Sequence, residues 1–386
     1  MKGALSWPFM RLYILVLFYF SANAILNVII PLQGKALGAT NTTIGMIMGA
    51  YLFTTMFLRP WAGQLIARYG PIPILRTILV VNGIALILYA VTGLGGYAFA
   101  RILQGVCTAF FSMALQIGIM DALPEKDRSQ GISLYSLFSY IPGIIGPLLA
   151  LGIWQEGMGA FGIVMVTLAV VTGLIGFTAR VGGQTDVKAP SHPSLGVGKA
   201  LRQLVANPDL SRSCILMLFG SIVFGATTIF IPLYSMQVPD GNAGIFLMLM
   251  ASTVVVSRFT LRKRIPSDGK WHSFFMMATM LLLTIGTLSI SYAIEGGAVF
   301  FYFGAIMVGV AQALLYPSLT TYLSLVLPKA SRNVLLGLFI ASADLGVSMG
   351  GAVMGPVADL TSYSTVYVVC SVLGGVMTLV AYRRSM

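Results

Sequence analysis

The chain has 386 residues, 57% of them hydrophobic and only 9% charged. Soluble domains carry about a quarter charged residues, so the composition excludes a soluble enzyme and implies an all-α membrane protein with room for about a dozen spans of roughly 20 residues. The net charge of +12 does not point to nucleic acid, because no soluble fold is left to present an aromatic-interleaved basic surface.

Apolar segments of spanning length lie at 9–33, 44–67, 73–93, 97–121, 131–154, 158–180, 212–236, 242–261, 272–294, 298–325, 332–356 and 363–382. In the first, Lys2, Arg11 and the run Leu12–Phe20 before Ala22-Asn23-Ala24 imitate a signal peptide. The apolar run continues to Pro31, so a retained first helix is expected. Asn23 and Asn27 are four apart and share a face, able either to join helices or to line a path. Tyr51 lies in the second segment and is a further lining candidate.

The fourth segment carries Arg101, Gln104, Gln116 and Asp121 within an otherwise apolar run. A charge inside a spanning helix costs about 2.5–3.5 kcal/mol on insertion scales, so such residues turn to a cavity or a partner. Arg101 near the helix start has a second option, snorkelling to the interface. Tyr135 and the run Pro142-Gly143-Ile-Ile-Gly146-Pro147 mark the fifth segment. Small residues there allow close helix contact and a bend.

Arg180–Ser211 holds glycines, prolines and mixed charge, and reads as a linker at 181–211 between an N-terminal half, 1–180, and a C-terminal half, 212–386. Gln312 and Tyr316 are polar positions of the tenth segment. Asp344 stands twelve residues past Arg332, about 18 Å along a helix and near mid-bilayer. A carboxyl there suits proton uptake and release, or a fixed hydrogen bond to a neighbouring helix.

Lys and Arg collect in alternate loops and in both tails, leaving only Lys35 in the opposite set. The positive-inside rule then puts both termini in the cytoplasm. The halves echo each other: Arg59 to Gly70 matches Arg258 to Gly269 in spacing, and Leu123-Pro124 with Arg128 recurs as Leu327-Pro328 with Arg332. Paired repeats build transporters with a site at the midplane. Cys107, Cys214 and Cys370 all fall in apolar runs, which fits neither a disulfide framework nor a zinc site. No phosphate-cradling Gly-x-x-x-x-Gly-Lys-Ser/Thr occurs, so no cofactor is implied and energy has to come from a gradient or another subunit.

Gly63-Gln-Leu-Ile-Ala67-Arg68-Tyr-Gly70 resembles the loop signature of the major facilitator superfamily, with its Asp replaced by Ala67 and its final basic pair by Pro71-Ile72. Arg101-Ile-Leu-Gln104-Gly105 resembles the fourth-helix pattern linked to proton coupling in the family's exporters, and Gly146-Pro147 resembles its antiporter motif. The resemblance implies twelve transmembrane helices in two six-helix bundles related by a pseudo-two-fold axis. It also implies gating roles for Gly63, Arg68, Gly70, Asp121, Arg128, Gly146 and Pro147. Asp121, Glu125 and Arg128 form an acidic–basic end of the fourth helix, its acids either pairing with Arg68 or Arg76 or standing as ordinary interfacial charge.

Longer strings are similar to the bacterial exporters of staphylopine, an opine-type metallophore: Trp7-Pro8-Phe9 with Arg11–Ile14, Phe20–Asn27, Arg101–Met113, Ala122–Gly146, Ile265–His272 and Leu336–Pro356. That likeness implies proton-coupled export of a zwitterionic, multi-carboxylate metabolite across the bacterial cell membrane by a monomer. Arg101 would then serve as carboxylate partner and Asp344 as amine partner or proton site. A multidrug efflux antiporter, or a membrane sensor or scaffold that transports nothing, are the competing expectations.

Overall fold

The computed structural model describes residues 3–178, 202, 204, 206–261, 264–328 and 331–382. Among these are twelve long α-helices: α1 (Trp7–Ala36), α2 (Asn41–Tyr69), α3 (Pro71–Val91), α4 (Leu94–Ala122), α5 (Glu125–Glu156), α6 (Met158–Thr178), α7 (Pro208–Tyr234), α8 (Ala243–Thr260), α9 (Ser273–Ser291), α10 (Ala293–Val326), α11 (Arg332–Leu360) and α12 (Tyr363–Ala381). Eleven are long and apolar enough to cross a membrane. The exception is α2, whose threonines, Arg59, Gln64 and Arg68 dilute its apolar run.

Several helices outrun the apolar segments. α5 starts at Glu125, well before the apolar stretch at 131, because helical backbone continues through polar residues at its end. Local chemistry sets the termini. Asn207 accepts from the Asp209 and Leu210 amides at 3.0 and 3.1 Å to cap α7, with Pro208 at the first helical position. Asn242 caps α8 through the Ile245 amide at 3.0 Å. Gly70, with φ of 83°, turns the chain between α2 and α3 in a conformation that side chains disfavour.

The chain forms two compact units. One comprises the described residues through Ile30 and those from Ala50 to 178; the other comprises 31–49 and the described residues from 202 on. Segment 31–49, which the sequence puts in the first half, thus clusters with the second unit. Most of the expected linker lies outside the described residues.

In the first unit Leu15 and Val16 of α1, Leu75 and Leu79 of α3, and Phe111, Leu115 and Ile119 of α4 make a buried core. Tyr19 stacks flat on Phe111, ring centroids 3.7 Å apart. Glycine lets backbones touch: a methyl group at Gly105 of α4 would collide with the Tyr51 carbonyl of α2. One at Gly146 of α5 would sit 2.6 Å from the Ala24 methyl of α1, so the small-residue contact expected of Gly146 is made here.

In the second unit α11 lies directly on α7. Methyl groups at Gly346 and Gly350 would run into the Leu218 and Ile222 carbonyls, and one at Gly225 into Val347. The start of α2 belongs to this unit. The Asp359 carboxylate accepts the Asn41 and Thr42 amides at 2.8 and 2.9 Å and the Thr42 hydroxyl at 2.6 Å. The Tyr363 hydroxyl donates to Asn41 Oδ1 at 2.6 Å. An acidic group over a helix N-terminus satisfies its free amides and opposes its dipole.

Candidate functional site

α4 runs three residues further back than its apolar segment, so Arg101 sits seven residues past Leu94, about 10 Å into the helix. Its side chain has no exposed surface. Snorkelling would leave the head group open, so burial removes that option. One terminal nitrogen of the guanidinium donates to Asn23 Oδ1 at 2.7 Å and to Gln104 Oε1 at 3.4 Å; the other donates to Asn27 Oδ1 at 2.9 Å. The Tyr89 hydroxyl also donates to Gln104 Oε1, at 2.8 Å. Below the guanidinium, 5.4 Å from its carbon, lies the Tyr51 ring. The sequence-expected Arg101, Asn23, Asn27, Gln104 and Tyr51 therefore form one cluster.

A track of polar groups leads away from this cluster within the first unit. Gln104, Thr108, Ser112 and Gln116 recur every fourth residue and share one face of α4. Tyr51, Thr55 and Arg59 do the same on α2. The faces meet: Thr108 Oγ1 lies 3.0 Å from the hydroxyls of both Tyr19 and Tyr51, and Thr55 donates to the Gly105 carbonyl at 3.0 Å. Farther along, Tyr135 of α5 hydrogen-bonds Gln116 and stands within electrostatic range of Arg59.

The sequence marks Arg59 only as part of a repeat, and Tyr19, Thr55, Tyr89, Thr108 and Ser112 not at all. The four-residue spacing on α2 and α4 was the signal that could have found Thr55, Arg59, Thr108 and Ser112; Tyr19 of α1 and Tyr89 of α3 carry no such signal.

In the second unit Asp344 is buried, two residues before Gly346 presses α11 onto α7. Gln312 and Tyr316 are half-buried and four apart on α10. The Tyr316 ring lies 5.8 Å from Phe339, five residues before Asp344 on α11.

The expected gating residues are scattered among several contacts. Gly63 borders the Met113 side chain, and Arg68 is exposed with its head over Tyr69. Arg128 donates to the Leu123 carbonyl at 3.3 Å, and Arg76 to the Phe177 carbonyl at 3.3 Å. The side chains of Asp121 and Glu125 lie outside the described residues, and with them the expected pairing to Arg68 or Arg76. Pro147 is buried inside α5.

Chemically, the Arg101 cluster is a fixed cation with an oriented fork. Guanidinium does not lose its proton in proteins. The neutral amide oxygens of Asn23, Asn27 and Gln104 hold the fork in place. Such a group can take a carboxylate in a two-point bond stronger than its bonds to amides.

The sequence matches the Major Facilitator Superfamily over residues 12–266. It is 53% identical over 388 aligned residues to the staphylopine export protein of Staphylococcus aureus strain Mu50, spanning 100% of this chain and 98% of that one. Multidrug resistance protein 2 of Bacillus subtilis strain 168 is 22% identical over 353 residues, spanning 86% of this chain and 84% of that one. The fold is similar to the crystal structure of a variant of the nucleoside transporter NupG, with a TM-score of 0.81 at 15% identity over 96% of this chain and 98% of the other. With twelve described helices, eleven of them of membrane-spanning character, and with matches of this extent, the chain is a multi-pass membrane protein that belongs to the Major Facilitator Superfamily.

Proposed function

We propose that the chain is a proton-coupled exporter of a small zwitterionic, multi-carboxylate metabolite of the staphylopine type. The end-to-end likeness to the Staphylococcus exporter carries this reading, and the buried Arg101 fork supplies the matching chemistry. In it, Arg101 with Asn23, Asn27, Gln104 and Tyr51 holds a ligand carboxylate. Asp344 takes up and releases the coupling proton, and Gln312 and Tyr316 of α10 are further lining positions. Gly63, Arg68, Gly70, Asp121, Arg128, Gly146 and Pro147 govern opening. The working halves are 1–180 and 212–386, joined by the linker 181–211, in a monomer of the bacterial cell membrane with both termini in the cytoplasm.

The weaker likeness to the Bacillus protein supports a second reading, a multidrug antiporter. Purified protein in liposomes under an imposed pH gradient separates the two. A staphylopine-like tricarboxylate should be carried and lipophilic cations should not. Asp344→Asn should still exchange ligand at equal concentrations on both sides yet lose at least tenfold of its response to the gradient. Gradient-driven transport that survives this substitution would remove Asp344 from the coupling step.

A further inference from the structure

We propose that Arg59 is a second carboxylate-binding residue on the same path, working with Arg101 on ligands that carry two or more carboxylates. This rests on the export reading. Arg59 follows Tyr51 by eight residues on one face of α2, which is about 12 Å along the helix axis. Tyr51 is the ring beneath the Arg101 guanidinium. Two cations therefore stand at different depths on one polar track, and hydroxyls lie along it. Tyr51 and Tyr19 meet Thr108, and Thr55 bridges α2 to α4 at Gly105.

Arg59 continues the α2 stripe that begins at Tyr51 and Thr55, and it is half-buried. Its charge acts on Tyr135, which hydrogen-bonds Gln116 on the polar face of α4. The spacing suits the ligand class: at 3.3–3.6 Å per residue, a metabolite built from three amino-acid-sized pieces extends about 10 Å. Arginine also fits the task in kind. Its planar fork matches a carboxylate bidentately, which a lysine does not. A ligand with a single carboxylate gains nothing from the second cation, so Arg59 selects by the number and spacing of acid groups.

The test uses the full chain in proteoliposomes with two probes: a nicotianamine-type tricarboxylate, and the same compound with two of its three carboxylates converted to amides, which leaves one. Arg59→Gln should raise KM for the tricarboxylate about tenfold or more, with the maximal rate within about twofold, and should change KM for the amide less than threefold. Arg59→Lys should fall between wild type and Arg59→Gln. An unchanged KM, or equal losses for the two probes, would overturn the assignment.

If Arg59→Gln does not elute as a single folded species, the Lys variant decides by the same comparison. A wild-type protein that carries neither probe would sink the export reading and this inference together. A wild type that carries the tricarboxylate alongside an indifferent Arg59→Gln would sink this inference alone.

Discussion

Arg101 is a permanent cation in a place water does not reach, and two asparagines of α1 hold its fork. Truncation to alanine removes the charge and leaves the acceptors of Asn23 and Asn27 short of a donor, at about 1–3 kcal/mol for each buried group left unsatisfied. Arg101→Ala should therefore lose transport and melt lower in detergent. Arg101→Lys separates charge from geometry. It keeps a cation but not the fork, so KM for a carboxylate ligand should rise tenfold or more while the melting midpoint stays close to wild type. Wild-type KM in the lysine variant would mean that only charge matters. This cluster was legible from sequence because each of its amides and its guanidinium interrupts an apolar run. The hydroxyl track was not, since serines and threonines in spanning helices commonly bond their own i−4 carbonyl, as Ser112 and Thr55 do at 2.8 and 3.0 Å.

At the scale of elements, α11 shows how glycine spacing decides which helices touch. Gly346 and Gly350 are four apart, on the face laid against α7. A methyl at Gly350 would lie 2.6 Å from the Ala226 amide nitrogen as well as striking the Ile222 carbonyl. Backbone cannot move aside as a flexible side chain does, so Gly350→Ala should cost about 1–3 kcal/mol by overpacking. Gly337 on the same helix has nothing within 4 Å of its added methyl. Gly337→Ala should leave the melting midpoint level or raise it, by up to about 1 kcal/mol of helix propensity. Comparable melting of the two variants would show that the close α7–α11 approach is not needed. Helix number was readable because hydrophobic length is a strong signal. Helix ends were not, because hydropathy follows the greasy stretch alone. The backbone of α5 stays helical through Glu125–Gln130, outside that stretch.

For the whole molecule, the twelve-helix fold and its family were legible, whereas the grouping of 31–49 with later helices was not. Nothing in hydropathy links Asn41 to Asp359, because a cap supplied from another helix has no fixed spacing in sequence. Removing it has a defined effect. Asp359→Ala takes the acceptor from the Asn41 and Thr42 amides, a loss of about 1–2 kcal/mol at the first turn of α2. Hydrogen exchange at these two amides should be slow in the intact chain and several-fold or more faster in Asp359→Ala, with amides in the middle of α2 unchanged. Equal exchange would show that the carboxylate is not what protects this turn.

The same cap puts a clock on biosynthesis. Asn41 and Asp359 are 318 residues apart, and at roughly 5–20 residues per second a ribosome needs about 15–60 s to make the stretch between them. Throughout that interval the leading amides of the second helix are without this acceptor. A nascent chain arrested before its last two helices would carry this unfinished turn as a mark of incomplete assembly.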